Sequence, residues 1–597
     1  MTSKIFEKLL QNRIIVVILL LAIILWGIFE YNHLPTDAFP DISPVMVPIF
    51  AEAHGMAPEE IERLITYPIE STMNGLPDVK LIKSTSAFGM AVIYIYFEDD
   101  VDIYFARQIV SERLTGAMAD LPEMHDPPTL GPISTGLGEV FMYYLTANKD
   151  IVNTQGKPVN TWLRELNDWV VKYQLQSVPG VTKILSMGGN VLQYQVKLNP
   201  YALAKYKVSL NEVVESINSN NGNEGGQFIV FGSEEYLVRG IGLIQKLEDI
   251  REIKLKVVDG LPIHLGDVAR IEYGNEIRRG IVSLNGTEEV VAGIVLKLYG
   301  ENTSEVIERL NKKFTNLRKI LPAGVELVPY YNQSVLVENA TWTVKKALIQ
   351  GSILVLLILF LFLGNMRTSL IVALSLPVCA FTSIILMGLA DISANLMSLG
   401  GIAIALGMLV DASIVVIENI YRFLTNDEYK NENKFRIIIK ATTEVARPII
   451  FSVGIVVLVF LPLFTLESVE GKMFSPMAFT ISFALLGSII TAMIFAPVLA
   501  SLILKKGSSK EIFIIKKLKS FYRPLLESSI RNRKKVVLYT IILFIITLLV
   551  LPFLGTEFIP VLDEGTIQIN VVMAPSISLE KAAKIIMKME RIINRRQ

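Results

Sequence analysis

Apolar positions along the chain fall into two regimes. Seven stretches are apolar almost throughout: 14–32, 344–364, 369–389, 396–421, 448–466, 477–504 and 536–554. A helix rises about 1.5 Å per residue, so roughly 20 apolar residues match the hydrocarbon core of a bilayer. Each run therefore predicts a membrane-spanning helix, and burial in a soluble core is a poor account of seven such runs in one chain. The first run is too long for a cleaved signal peptide, and no A-x-A-like site follows it.

Between runs one and two the pattern changes to short alternations and helical periods. LPDVKLIKSTS (76–86) matches VPGVTKILSMG (178–188) at a constant offset. Helix-like stretches precede them at 58–73 and 162–176, and alternating strands follow at 88–98 and 190–198. Further helical stretches come next, at 102–117 and 209–219. The order β-α-β-β-α-β describes a ferredoxin-like split unit. Two such units are predicted, one over 33–135 and one over 136–221 and 276–340, with a β-rich insert at 222–275 between the halves of the second. The fold class is a multi-span α-helical membrane protein with a large α+β region. The rest of the plan is residues 1–32 for the N-terminus and first span, 341–504 for spans two to six, 505–535 for a basic segment, 536–554 for span seven, and 555–597 for the start of a further βα unit.

Charge adds orientation. Lys+Arg and Asp+Glu balance at 57 each, so no basic excess points to a nucleic-acid partner. Basic residues instead cluster by loop. Lys4, Lys8 and Arg13 open the chain, Arg367 falls in a tight turn, and eleven Lys and Arg lie within 505–535. Alternating spans put all three places on one side, which the positive-inside rule makes cytoplasmic. Residues 33–343, the short loops 390–395 and 467–476, and the tail from 555 then lie opposite. The segment 512–530 intersperses Phe513, Leu518, Phe521, Leu525 and Leu526 among its basic residues. It is expected to lie on the inner membrane surface against lipid, with a plain solvated loop as the alternative.

Reactive side chains are few. Cys379 is the single cysteine, so no intrachain disulfide forms. His33, His54, His125 and His264 form no close pair, and there is no CxxC site. No hydrolase constellation, phosphate loop, cofactor-binding motif or DNA-binding element is visible, so an enzyme is not expected.

One run is chemically unusual. GMLVDASIVVIENI (407–420) places Asp411 and Glu418 inside a membrane helix, where each central charge costs roughly 2.5–3.5 kcal/mol even on mild insertion scales. The two acids are seven residues apart and so share one helix face. Asn419 flanks that face, and Gly407, one turn earlier, offers a place for another helix to approach closely. Ionisable residues in such a stripe face a bundle interior or water path and commonly form proton or ion relays. The plainer alternatives are a structural bond from Asp411 to a neighbouring helix and simple solvation of Glu418 near the cytoplasmic end.

The pattern MSLGGIAIALGMLVDASIVVIENIYR (397–422) resembles the fourth transmembrane helix of the resistance–nodulation–division (RND) efflux pumps. LPTDAFPDISPVMV (34–47) looks like that family's entry from helix one into the first porter subdomain. GPISTGLGEVFMYYL (131–145), SLGGIAIALG and FTLESVEGKMFSPMAF (464–479) are closer to the heavy-metal branch than to the multidrug branch or the lipid and protein exporters. The match is collinear with the family's first half. It implies a homotrimer in the inner membrane of a Gram-negative cell, docked through a periplasmic adaptor to an outer-membrane channel and exchanging protons for substrate. The split units would be porter subdomains, the insert a docking subdomain, and Asp411 the proton carrier, with Glu418 completing the relay.

The chain departs from the family in three ways. Ala412 stands where multidrug relatives have a second aspartate, and Ala405 where some cobalt–zinc–cadmium relatives carry another acid. The chain also stops at Gln597, where a third porter subdomain should begin, so half the cleft is lacking. This reads as a truncated, non-transporting product or as a chain that a second polypeptide completes. Soft Cu(I) and Ag(I) favour methionine sulfur, whereas Zn(II), Co(II) and Ni(II) favour imidazole and carboxylate. The first member of the copper-type methionine cluster falls near Asn570, with Met573 out of register. Glu139 and Asp168 align with cleft ligands of zinc-type relatives, though surface or intersubunit pairing would also explain them, and Met142 keeps a copper reading open. The metal is cargo; no resident cofactor is implied.

Overall fold

The computed structural model describes residues 2–595 except 38, 54, 123, 125, 136–137, 149–153, 155, 259, 279, 364–365, 430, 507–512 and 556–564. His54, His125, part of the GPISTGLGE stretch and parts of both the basic segment and the tail lie outside the described residues.

Strands β1 (Met46–Glu52), β2 (Val79–Ala87), β3 (Met90–Phe97) and β4 (Thr129–Leu130) form one antiparallel sheet in the order β2-β3-β1-β4. Period-two alternation in β1 and β3 turns Val47, Ile49, Ala51, Ala91, Ile93, Ile95 and Phe97 to one face, each at most 1% exposed. Two helical stretches cover that face. Pro58–Met73 contributes Ile61, Ile65, Ile69 and Met73 at helical spacing, and Ile103–Ala117 contributes Ala106, Val110 and Leu114. The second helix starts where it does because the Asp102 carboxylate accepts from the Tyr104 and Phe105 amides at 3.0 and 2.9 Å.

The chain continues as β5 (Glu139–Ala147), β6 (Val181–Met187), β7 (Leu192–Leu198), β8 (Glu224–Phe231), β9 (Glu234–Gly240), β10 (Lys254–Val258), β11 (Leu261–His264), β12 (Ala269–Asn275), β13 (Val282–Leu284), β14 (Glu288–Lys297) and β15 (Val325–Asn332). A second sheet runs β14-β5-β15, with β13 and β6 both paired to β14. Helices over 159–176 and Thr303–Ile320 cover it.

This differs from the sequence expectation. The strand at 190–198 was expected in the second sheet, but β7 pairs with β12 instead. Together with the helix Leu210–Ser219 it belongs to a separate core of Val208, Val213, Ile250, Ile253, Ile263, Leu265, Val268 and Ile271. That third unit thus begins near 190, not 222. The physical reason lies in β14, whose Val290, Val291, Ala292, Val295 and Leu296 are all buried. A central strand needs such a run, and the polar alternation of LQYQVKL cannot supply it. Gly188 and Gly189, both at positive φ (73° and 67°), turn the chain out of the sheet.

Six described helices are long and apolar enough to cross a membrane: Arg13–His33, Gln333–Ile358, Met366–Leu389, Lys434–Thr465, Ser468–Ile503 and Arg533–Phe553. The seventh expected run lies in the continuous helix Leu396–Thr425, 30 residues long. Three of these helices begin well before the apolar pattern suggests, at Gln333, Lys434 and Ser468, because more polar turns precede each apolar run. Arg367 lies in the first turn of its helix, not in the preceding turn. The alternation at 566–574 forms no strand among the described residues, and Ile567 and Val572 are over 90% exposed. The helix expected after it is present as Leu579–Asn594.

Candidate functional site

The helix Leu396–Thr425 is the hub of the helical bundle. It packs on Gln333–Leu363, Met366–Leu389, Lys434–Phe460 and Ser468–Ile490. Asn395 fixes its start, accepting from the Met397 and Ser398 amides while Ser398 Oγ accepts from the Asn395 amide. Ala405, Ala412, Val416, Ile417 and Ile420 bury one face in the bundle core. Ile404, Gly407, Asp411, Val415 and Glu418 recur three and four residues apart and form an exposed stripe on the other. Both acids therefore share a face, as their spacing requires. Neither makes a hydrogen bond or ion pair among the described residues, and nothing lies within 4 Å of a Cβ built on Gly407. The expected close approach is instead at Gly401, which packs on Met477 and Thr480 of the helix Ser468–Ile490.

Asn419 turns inward, at 7% exposed. Its amide donates to the Ala441 carbonyl at 2.8 Å and to Glu444 at 3.0 Å, and Arg422 lies 3.7 Å from the same carboxylate. Sequence reading missed Glu444 because it precedes the apolar run at 448–466. Its position in ATTEVARP, one turn before Pro448, was the available signal.

The soluble candidates are separated. Asp168 lies in a π turn, Asn167–Val171. One of its oxygens is 2.7 Å from Arg164 Nε and the other accepts from Ser186 Oγ at 2.5 Å. Asn167 is wholly buried beside it, accepting from the Tyr143 hydroxyl at 2.9 Å and donating to Ser186 at 2.9 Å. Burial, and then the Asp168 charge, push the Tyr143 phenol far above its ordinary range.

Glu139 is exposed at the start of β5, opposite Leu296, whereas Ser186 is level with Gly293. Those three residues of β14 put Glu139 roughly 10 Å along the strand from the Asp168 network. Burial, and then the Glu139 charge, raise the Tyr330 phenol. Met142 is half-buried in an apolar row with Ile294 and Leu185. No group of three or more His, Cys, Asp or Glu suited to a metal ion occurs among the described residues.

The bundle and its α+β units define a multi-pass membrane protein with acids on its central helix. The chain belongs to the AcrB/AcrD/AcrF family, whose model matches residues 5–597. It is 40% identical over 589 residues to "Protein HelA" of Legionella pneumophila, covering 98% of this chain and 56% of that protein. It is 39% identical over 592 residues to "Cobalt-zinc-cadmium resistance protein CzcA" of Cupriavidus metallidurans, covering 98% and 55%. A solved "heavy metal efflux pump" superposes with TM-score 0.85 at 33% identity, covering 99% of this chain and 56% of that one. The chain thus spans about half the length of these relatives.

Proposed function

We propose that this chain forms part of a proton-driven exporter of heavy-metal cations in the inner membrane of a Gram-negative cell. The observation that carries the reading is Asp411, a carboxylate without a partner on an exposed stripe of the central helix. Its helix is otherwise well packed, so the acid does not serve to hold the bundle together. The transmembrane potential supplies about 2.3 kcal/mol per charge per 100 mV, comparable to the cost of placing the acid there. Asp411 carries the proton and Glu418 feeds it from the cytoplasmic side.

On this reading the two sheets, each built around a β-α-β-β-α-β path, are ferredoxin-like porter units, and the unit from 190 to 276 is the docking insert. Residues 33–343 face the periplasm. The assembly is a homotrimer joined to a periplasmic adaptor and an outer-membrane channel, and a second chain or segment supplies the rest of the cleft. The cargo is a divalent cation. Glu139 is the free carboxylate of the expected pair; Asp168 reaches a cation only by releasing Arg164, and so positions the wall of the cleft. The names of the cobalt–zinc–cadmium and heavy-metal relatives support a metal cargo.

The test uses the chain completed by a second half and reconstituted in vesicles with an imposed pH gradient. Asp411→Asn keeps size and hydrogen bonding but cannot titrate. It is expected to abolish proton-coupled zinc or cobalt flux while leaving assembly intact, and Glu418→Gln to slow flux only in part. Parental coupling in Asp411→Asn makes the acid structural and ends this reading.

A further inference from the structure

At the end of the bundle that carries the basic N-terminus, a cavity of about 700 Å³ is lined by Glu7, Phe423, Tyr429, Arg436, Lys440 and Glu444, among others.

 The two acids of the lining differ in use. Glu444 is held by Asn419 at 3.0 Å and lies 3.7 Å from Arg422. Glu7 sits on the helix Thr2–Gln11, which buries Phe6 and Leu10 in the bundle core and so lies against the bundle end.

The two cations of the lining lack a carboxylate partner among the described residues. Arg436 and Lys440 are one turn apart on one face of the helix Lys434–Phe460, and both are exposed. Neither pairs with a carboxylate among the described residues. The Lys440 ammonium lies 4.5 Å over the Tyr429 ring. That ring is stacked on Phe423 with centroids 5.0 Å apart and planes at 13°. The stack is an apolar wall beside two cations that pair with no described carboxylate, in the first turns of the helix Lys434–Phe460 at the basic end of the bundle. Basic pockets between membrane helices on the cytoplasmic side take anionic headgroups.

We propose that this cavity binds the headgroup of an anionic phospholipid, with Arg436 and Lys440 on the phosphate and the Phe423–Tyr429 stack against the glycerol and upper acyl chain. The bound lipid sits beside Glu444, and through Asn419 it adjoins the turn that carries Glu418. The site rests on the membrane placement given above and not on metal transport, so a binding measurement separates the two.

The experiment is native mass spectrometry of the full 597-residue chain in detergent, titrated with cardiolipin, phosphatidylglycerol or phosphatidylcholine. The expected result is a saturable first adduct with either anionic lipid and none with phosphatidylcholine at the same concentration. Arg436→Gln with Lys440→Gln should weaken that adduct by about twenty-five-fold, at about fivefold per cation. The charge-preserving pair Arg436→Lys with Lys440→Arg should retain it. Lys534→Gln with Lys535→Gln, at another basic helix start, should also leave it unchanged. Equal binding of phosphatidylcholine, undiminished binding by the glutamine pair, or loss in the charge-preserving pair overturns the proposal. Displacement of the lipid by millimolar inorganic phosphate also overturns it, because the ligand is then free phosphate.

Discussion

The two α+β units follow the same strand and helix order, yet they join helix to sheet by different chemistry. In the first, Ile61, Ile65, Ile69 and Met73 present an apolar seam to the sheet, interrupted by one neutral contact, Thr66 Oγ1 to Ser86 Oγ at 2.8 Å. In the second, the corresponding seam holds Tyr143, Asn167, Ser186, Asp168 and Arg164 in one hydrogen-bonded network. Both helices contain a π turn at this joint, Glu62–Thr66 and Asn167–Val171. An apolar seam is the cheaper way to hold a helix on a sheet, since every buried polar group needs its partner. A polar seam in one unit only marks the place where something other than stability is served. It also fixes a direction: Asp168 is oriented by two donors, whereas Glu139 on the same sheet is free.

The largest effect expected on this contrast comes from Gly293 in β14. A Cβ there runs into the Tyr143 ring, which is wholly buried and cannot move aside. Gly293→Ala should cost the second unit about 3 kcal/mol. Hydrogen exchange of β5 and β14 amides, followed in detergent, should accelerate accordingly while the β1 and β3 amides keep their protection. Equal acceleration in both sheets would show that the units do not open separately.

A smaller effect separates the two seams directly. Asp168→Ala removes the partner of a largely buried guanidinium and the acceptor of Ser186, at a cost of about 2 kcal/mol after allowing for partial exposure. Thr66→Val swaps one hydroxyl for a methyl in an apolar seam and should cost about 0.5 kcal/mol. The readout is again exchange in the matching sheet. If the two changes cost the same, the polar seam is no more demanding than the apolar one, and the contrast loses its meaning.

How much of this the chain discloses unaided depends on the length scale of the signal. The apolar helices and the elements of the first sheet were legible because apolar periodicity is local, as in the strict alternation of β3. The second unit was half legible. Its helix and β6 follow the repeat, but the third strand arrives only at β14, after an insert, and nothing local in LQYQVKL says that its partner is β12. The shared face of Asp411 and Glu418 follows from spacing alone. That Asn419 reaches Glu444, 25 residues on, does not, because interhelical contacts depend on how two helices cross. Asp168 shows the same limit: its residue type suits a ligand, but Arg164 and Ser186 already occupy both oxygens.

At neutral pH Tyr143→Phe should cost less than Asp168→Ala, and its pH dependence is the sharper test. The change leaves the buried Asn167 oxygen without its donor, at about 1 kcal/mol. Burial, with the Asp168 charge second, raises the Tyr143 phenol in the folded unit, while in the unfolded chain a tyrosine ionises near pH 10. Below that pH both states hold the proton and the group adds no slope. Above it the unfolded state releases the proton and the folded state keeps it, so stability falls by up to about 1.4 kcal/mol per pH unit. Tyr143→Phe lacks this term, and the other tyrosines cancel in the difference. Its stability should lie below the parent's at pH 7 and meet it near pH 11, where the lost slope offsets the lost hydrogen bond. Exchange of β5 amides, corrected for intrinsic alkaline rates, measures the gap. A gap that stays constant from pH 9 to pH 11 would mean that the phenol ionises as readily folded as unfolded, and that the second seam is wetter than its burial implies.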